Sequence, residues 1–245
     1  QQYAFPGYYT VKYTRKKLSP PSKQPYNLTY PQEEDPSMGQ SYVILGEILG
    51  EMTNGFFVEC GAQDGEHISN TLLFEKKYGW NGLLVEGNPK NYEKVISKKR
   101  KAWTIHTCLS TKPYPNTVMF HVNLKDWGNH ISNISIDSKI DGYVELQCLP
   151  LYSILMALNT TTVDYFSLDI EGLELEVLKT IPWDKVNIRT LSVEHKHIPG
   201  GKDVLRSYMR SQGYYIYSPV VVEGDIELKD TIFYRNDVVP KIPGL

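Results

Sequence analysis

From residue 38 onward, short apolar runs alternate with segments of helical periodicity. Short apolar runs bounded by turn residues are typical of strands buried on both faces, and their alternation with helices indicates a mostly parallel sheet covered on both sides. Strands are predicted at 56–60, 82–86, 103–108, 118–122, 144–148, 163–168 and 190–194, and helices at 44–52, 70–78, 88–96, 152–158, 174–180 and 204–209. The runs 214–222 and 231–234 predict a C-terminal antiparallel hairpin.

Residues 1–37 differ in composition from the rest, with six prolines and no sustained apolar period. Because Pro lacks an N–H and stiffens the backbone, we predict an extended Pro/Tyr-rich arm that runs over a surface or is partly disordered. The basic run 15–17 is interpreted as a solvated patch, with processing or lipid-headgroup binding as the alternative. Since neither a repeat nor a second core is visible, we predict one domain, 38–245, preceded by this arm.

The overall composition excludes some classes of protein. The chain is 41% hydrophobic and 22% charged, with a formal net charge of −2. Without a basic groove that carries interleaved aromatic residues, we predict no nucleic-acid binding. No apolar run reaches the roughly 18 residues that a membrane-spanning helix needs. The chain begins with Gln1 rather than Met, and we expect residues upstream that include a signal or a membrane anchor.

Sequons and cysteines favour the secretory pathway. Three N-glycosylation sequons in loop-like positions predict a luminal or extracellular glycoprotein, and they begin at Asn27, Asn133 and Asn159. Of the three cysteines, Cys108 and Cys148 lie on strand-like segments and are predicted to form a disulfide, whereas Cys60 lies in a tight apolar motif and is predicted to be buried. The alternative is three buried thiols in a reduced protein.

The first strand runs directly into a glycine-containing turn, Glu59-Cys-Gly61-Ala-Gln-Asp64-Gly65. Its glycines permit a tight turn and a close approach to a ligand, and its carboxylates can accept hydrogen bonds. The second strand ends in Glu86, placed to bind the two hydroxyls of a ribose. Together these residues predict a nucleoside-containing cofactor. The alternative is an ordinary tight turn and a solvated Glu.

Acidic residues and histidines follow two later strands. Asp169 and Glu171 follow the strand at 163–168, and Glu194, His195 and His197 follow the next. Because ligands in such sheets bind beyond the carboxyl ends of the strands, these residues are expected near the same crevice. Carboxylates and His can hold a divalent metal or act as a general base. The spacing matches no metal motif, so we predict no metal and assign Asp169, Glu171 and His195 as catalytic. The alternative is that they cap helices and bind backbone groups.

Four motifs taken together resemble the FkbM methyltransferase family, and the resemblance extends from Asp35 to the C-terminus. The motifs are Phe57–Gly65, Asn70–Glu75, Gly79–Glu86 and Asp164–Gly172. This resemblance implies a Rossmann-like class I methyltransferase fold and S-adenosylmethionine as cofactor. It also implies that Glu59, Gly61 and Gly65 line the methionine part of the cofactor, that Glu86 holds its ribose, and that Asp169 and Glu171 face the methyl-transfer site.

Other segments are similar to Star-like secretory-pathway proteins. They are Asp35–Gln40, Lys101–Trp103, Cys108–Ser110, Cys148–Ser153, Val163–Phe166 and Lys179–Trp183. The similarity implies a luminal domain behind an N-terminal transmembrane anchor. It also implies that the domain binds protein partners and acts in ER-to-Golgi escort of signalling proteins.

The chain departs from the FkbM pattern at several positions. Ser167 stands where the family usually has Lys, which removes a cation that would hold or polarise an acceptor oxygen. Gly87 replaces a Pro, and Glu59 and Gln63 are the polar members of the motif that resembles Asp-Val-Gly-Ala-Asn. Three functions therefore stay open: a protein-binding module that uses loop 124–142 and the arm, an active O-methyltransferase, and a sensor that binds the cofactor without turnover.

Overall fold

The computed structural model describes residues 7–122, 142–217 and 230–240, together with the backbone of 131–132. The strands are β1 (Phe56–Cys60), β2 (Asn81–Glu86), β3 (Trp103–His106), β4 (Cys108–Leu109), β5 (Asn116–His121), β6 (Ile131–Ser132), β7 (Tyr143–Leu149), β8 (Thr162–Leu168), β9 (Asn187–Glu194), β10 (Tyr214–Tyr217) and β11 (Asp230–Arg235). The helices are α1 (Tyr8–Lys17), α2 (Gln40–Tyr42, continuing as a π-helix over Val43–Ile48), α3 (Leu72–Tyr78), α4 (Pro89–Ser97), α5 (Leu151–Ala157), α6 (Glu174–Leu178) and α7 (Gly201–Ser211).

Within the described residues, seven strands form the central sheet, in the order β10-β11-β9-β8-β1-β2-β3. The five strands from β9 to β3 are mutually parallel, and β11 is antiparallel to both of its neighbours. This confirms the predicted fold class, a mostly parallel sheet with helices and a C-terminal antiparallel pair. Of the hairpin predicted at 214–222, residues 218–222 lie outside the described part of the chain.

The described residues also form a second sheet of four strands, in the order β4-β7-β5-β6. Strands β4 and β7 are parallel, and their register places Cys108 opposite Cys148. The structure joins these two residues in a disulfide with a Cα–Cα distance of 4.3 Å. Cys60 is a buried free thiol.

The core lies on both faces of the central sheet. Val58 and Phe166 belong to one apolar layer, and Phe57, Phe74 and Tyr165 belong to the other. The helical face predicted at 44–52 contributes buried apolar side chains to the second layer. Parallel strands covered in this way account for the near-continuous apolar runs of the sequence.

Capping residues mark the end of α3 and the start of α4, as the sequence predicts. Gly79 follows α3 in the left-handed conformation, with φ of 68°, as a C-terminal stop. Asn88 precedes α4, and its side chain accepts hydrogen bonds from the backbone N–H groups of Lys90 and Asn91. Pro89 occupies the first helical position, where its missing N–H costs nothing. Within the described residues, no helix has both the length and the hydropathy needed to cross a bilayer.

The arm is not extended throughout, because residues Tyr8–Lys17 form helix α1. This segment has no apolar period, and its helical form is stabilised by packing against α5. Thr14 is fully buried, and the Arg15 side chain donates to the Ala157 carbonyl at 3.0 Å. Beyond α1 the chain runs along the edge of β3, where Ser19 and Thr104 form an antiparallel bridge. The division of the chain at residue 37 stays a prediction.

Candidate functional site

The site lies at the carboxyl ends of β1 and β8, which contact each other directly. The Asp169 N–H donates to the Cys60 carbonyl at 3.1 Å. Gly61 has φ of +86°, and a Cβ built there would lie 1.9 Å from the Asp169 carbonyl oxygen. Only glycine fits this position, and the close approach that requires it is made by the backbone of the chain itself.

Glu59, at the end of β1, is 4% exposed and fully engaged by the turn that follows it. Its Oε2 accepts from Ser69 Oγ at 2.9 Å and from Thr71 Oγ1 at 2.5 Å, and its Oε1 accepts from the Asn70 N–H at 2.8 Å. Burial raises the pKa of Glu59, while the charge of Arg100 and these hydrogen bonds oppose the rise. This carboxylate therefore holds the turn before α3 in place.

Asp64 has a similar internal role. Its Oδ1 accepts from the backbone N–H groups of Glu66 and His67, both at 2.8 Å. Its Oδ2 lies 3.6 Å from Lys98 Nζ. Gly65, with φ of +82°, lies against Val95 of α4. These contacts match the predicted alternative of an ordinary tight turn.

Glu86, at the end of β2, is 6% exposed and held by backbone donors. Its Oε2 accepts from the Gln63 N–H at 2.8 Å and its Oε1 from the Asn88 N–H at 2.7 Å. Burial raises the pKa of Glu86 to about 7, and the backbone hydrogen bonds limit the rise. A Cβ on the neighbouring Gly87 would lie 3.1–3.3 Å from side chains of Leu146 and Phe120, so the second sheet packs over this position.

These contacts test the fit of S-adenosylmethionine. Glu86 sits at the strand end expected for a ribose ligand, and the two backbone hydrogen bonds that it accepts leave about two of its roughly four lone-pair sites. The methionine end fits less well, because Glu59 already accepts three hydrogen bonds from the chain itself and Asp64 accepts two through one oxygen. The Asp169 carbonyl also fills the space beside Gly61. Only part of the predicted cofactor-binding set is thus arranged to face a ligand.

A cluster of carboxyl groups and one histidine lies beyond β8 and β9. Ligand atoms of Asp169, Glu174 and Glu194 lie within 4.8 Å of one another, and so do those of Glu171, Glu194 and His197. His197 Nδ1 lies 2.9 Å from Glu171 Oε2 and 3.3 Å from Glu194 Oε2. Either group has the donor atoms for a divalent ion, and the predicted absence of metal stays a prediction.

Three carboxyl groups of this cluster, those of Asp169, Glu174 and Glu194, hold protons more tightly than ordinary carboxyl groups. Burial, followed by the negative charges of Asp169, Glu171, Glu174 and Asp230, raises the pKa of Glu194 to about 9. The pKa of Asp169 is raised to about 7, first by desolvation and then by its acidic neighbours, against a hydrogen bond with Glu194. The cluster can therefore exchange protons near neutral pH, as a general acid or base must.

Three members of the cluster, Glu174, Glu194 and His197, are not assigned as site residues from the sequence, and neither is the neighbouring Asp230. Glu174 is the first residue of α6 and accepts from the Ile170 N–H at 2.8 Å, so it also has the predicted alternative role of binding backbone groups. Asp230 begins β11, whose position beside β9 has no local signal in the sequence. Glu194, in contrast, can be located from the sequence, because it is the last residue of a predicted strand.

The remaining predicted residues are placed as follows. His195 lies outside the two metal-type groups, and its Nδ1 is 3.1 Å from Thr231 Oγ1. Ser167, at the position of the family Lys, accepts a hydrogen bond from Asn70 Nδ2 at 2.9 Å. Asn27 and Asn159 are exposed, whereas Asn133 and most of loop 124–142 lie outside the described residues.

Comparison with known proteins relates this chain to a methyltransferase domain. The model of the methyltransferase FkbM domain matches residues 59–216. No curated protein sequence matches the chain. The crystal structure of an FkbM methyltransferase from Methylobacillus flagellatus is similar at 13% identity and a TM-score of 0.49, over 92% of this chain and 58% of that one. A putative RNA methyltransferase from Pyrococcus horikoshii is similar at 11% identity and a TM-score of 0.43, over 96% of each chain.

The chain thus spans 58% of the first of these structures, so the likeness covers only part of that protein. The family model, in contrast, covers well over half of the present chain, from the β1 carboxylate Glu59 to β10. On this match, the chain belongs to the FkbM methyltransferase domain family.

Proposed function

We propose that this FkbM domain is a Star-like protein-binding module in the lumen of the secretory pathway, where it escorts signalling proteins from the ER to the Golgi. It works without methyl transfer, as part of a single-pass membrane protein. The disulfide and the exposed sequons support an oxidising, glycosylating compartment. A fold of this kind can retain its scaffold while its site takes another function.

The observation that carries the proposal is the internal use of the cofactor-type residues. Glu59 and Asp64 accept hydrogen bonds from the turn that they hold in place, and Gly61 accommodates the Asp169 carbonyl. Polar groups committed in this way are not offered to a ligand, since breaking a buried hydrogen bond costs about 1–3 kcal/mol. Ser167 also stands where the family usually has Lys, so this chain lacks the cation that would hold an acceptor oxygen.

Calorimetric titration with S-adenosylmethionine and with its demethylated product tests the non-catalytic part of the proposal. We expect no binding heat at millimolar ligand. Micromolar binding that disappears in Glu86→Gln but persists in Glu93→Gln would overturn it. Glu93 is a matched control, because it is an exposed carboxylate on α4.

The escort function is tested in cells with the full-length protein. We expect a co-expressed transmembrane growth-factor precursor to gain endoglycosidase H resistance faster when this protein is present. Replacement of loop 124–142 by a short linker should abolish that gain if the loop is the contact surface. An unchanged rate of maturation with and without the protein would exclude the escort function.

An active O-methyltransferase is the second candidate, and the raised pKa values of the carboxyl cluster favour it. Asp169, with a pKa of about 7, could take the proton of an acceptor hydroxyl. In this case the domain should transfer labelled methyl groups from S-adenosylmethionine to an acceptor in a secretory extract. The transfer should be lost in Asp169→Asn and retained in Asp203→Asn, which alters an exposed carboxylate of α7.

A further inference from the structure

The charge of this chain is strongly divided between its two parts. Residues 1–32 contain five of the 26 lysines and arginines and none of the 28 acidic residues. The rest of the chain therefore has 21 basic and 28 acidic residues, which gives it a formal charge of −7. The small net charge of the whole conceals a cationic N-terminal segment attached to an anionic body.

Four of the five basic residues lie on α1 or at its end: Lys12, Arg15, Lys16 and Lys17. The helix is fixed to the body through the buried Thr14 and the hydrogen bond from Arg15 to the Ala157 carbonyl. The other three cations, Lys12, Lys16 and Lys17, are therefore presented by a positioned helix rather than by a free tail.

Three tyrosines share the outward side of α1 with these cations. Tyr8, Tyr9 and Tyr13 are 72%, 84% and 43% exposed. Lys12 Nζ lies 5.8 Å from the centre of the Tyr8 ring, and Lys17 Nζ lies 5.2 Å from the centre of the Tyr13 ring. Exposed tyrosines interleaved with lysines are typical of the water–membrane interface, because each has an apolar body and a polar end.

We propose that the outward face of α1 binds an anionic membrane surface and seats the domain against the bilayer. The cations and tyrosines of α1 would enter the headgroup region, with its axis roughly parallel to the membrane. The inference goes beyond the proposed function and is argued from the charge and tyrosines of α1 alone. Together with the luminal placement proposed above, it requires anionic lipid in the leaflet that faces the lumen, since phosphatidylserine is concentrated in the cytoplasmic leaflet.

A membrane fits these observations better than an acidic protein does. A protein–protein interface depends mainly on the local fit of two surfaces, and lysine is less frequent there than on the rest of a protein surface. A negatively charged membrane surface acts on every charge of the domain that lies within a Debye length of it. It attracts the cationic helix α1 and repels the anionic remainder of the chain, so the domain is oriented with α1 toward the lipid. The face is also a convex helix surface, which suits a planar, deformable phase.

Co-sedimentation of the chain with lipid vesicles tests the proposal. We expect binding to phosphatidylcholine vesicles that contain about 30% phosphatidylserine, little binding to phosphatidylcholine alone, and release by salt. Lys12→Gln/Lys16→Gln should lower the partition coefficient about thirtyfold at low ionic strength, since each cation contributes about a factor of five. Tyr9→Ser should lower it further without changing the salt dependence.

The matched control is Lys90→Gln/Lys94→Gln, which removes the same charge at the same spacing from exposed positions of α4. It should bind vesicles as the unaltered protein does, and thermal unfolding should show that all variants fold. The proposal is overturned if phosphatidylserine vesicles are not bound, or if the two double variants lose binding equally. It is also overturned if polyglutamate binds as tightly as the vesicles, which would indicate an acidic polypeptide partner.

Discussion

Replacing Glu194 by Gln should change how the stability of this domain depends on pH. Glu194 is 5% exposed and faces the carboxyl groups of Asp169, Glu171, Glu174 and Asp230. His197 Nδ1 lies 3.3 Å away. Burial and the acidic neighbours raise its pKa from an ordinary 4.5 to about 9. The folded protein therefore keeps a proton that the unfolded chain releases above about pH 4.5.

The sign and size of the effect follow from proton linkage. Stability falls as the pH rises wherever the native state binds more protons than the unfolded state, by about 1.4 kcal/mol per pH unit for one proton. Because Glu194 and Asp169 share a hydrogen bond, we count one proton for the pair. Between pH 5.5 and 7.5 this amounts to about 2–3 kcal/mol of lost stability. Glu194→Gln, a neutral and nearly isosteric change, should remove that loss.

Urea unfolding at pH 5.5, 6.5 and 7.5 measures the difference directly. The stability advantage of the variant over the unaltered protein should grow by about 2–3 kcal/mol between pH 5.5 and pH 7.5. Glu176→Gln is the control, because Glu176 is on α6 with a side chain that is 52% exposed, and it should leave the pH dependence unchanged. Parallel pH profiles for the Glu194→Gln variant and the unaltered protein would refute the assignment of a retained proton to this cluster.

Three further outcomes are expected. Arg100→Met should lower the unfolding free energy in urea by about 3–5 kcal/mol, because it leaves the buried Glu75 without its ion-pair partner at 2.9 Å; adding Glu75→Gln should recover part of the loss. Cys108→Ala/Cys148→Ala should cost about 2–4 kcal/mol in the same assay, since the disulfide closes a loop across a sequence separation of 40. Asn159→Gln should remove one N-glycan from protein made in the secretory pathway, seen as a gel shift that enzymatic deglycosylation eliminates; an unchanged mobility would contradict the sequon prediction.

The central sheet could be predicted because its strands carry local signals. Each parallel strand is buried on both faces and so appears as an apolar run, and turn or capping residues such as Gly79 and Asn88 mark the helix ends. Helix α1 could not be predicted in this way. Its buried face is made by Thr14 and by contacts to α5, more than 130 residues away in the chain, and leaves no apolar period.

The candidate site was predictable in its location and less so in its contacts. The strand-end rule brought Asp169 and Glu171 to the correct edge of the sheet. It could not show that Asp230 joins them, because the pairing of β11 with β9 is set by long-range packing. The motif glycines were read as ligand contacts, whereas Gly61 accommodates the Asp169 carbonyl. A glycine requirement has the same appearance in a sequence whether a ligand or the backbone makes the close approach.

The register of the sheet explains why position 167 matters for the charge of the whole site. Glu59, Ser167 and Ser192 are in-register partners on adjacent parallel strands, so their side chains share one face. A Lys at 167 would stand beside Glu59 and two residues from the level of Glu194. In this chain the charge of Arg100 acts on Glu59 instead, whereas the strongest electrostatic influences on Glu194 are all acidic. With a serine at 167, a proton neutralises part of the cluster, and a carboxyl group that already holds a proton at neutral pH cannot accept one from a substrate. Glu194 therefore cannot serve as the base of a methyltransferase, and in the second candidate function that role would fall to Asp169, whose pKa of about 7 leaves it partly ionised at neutral pH.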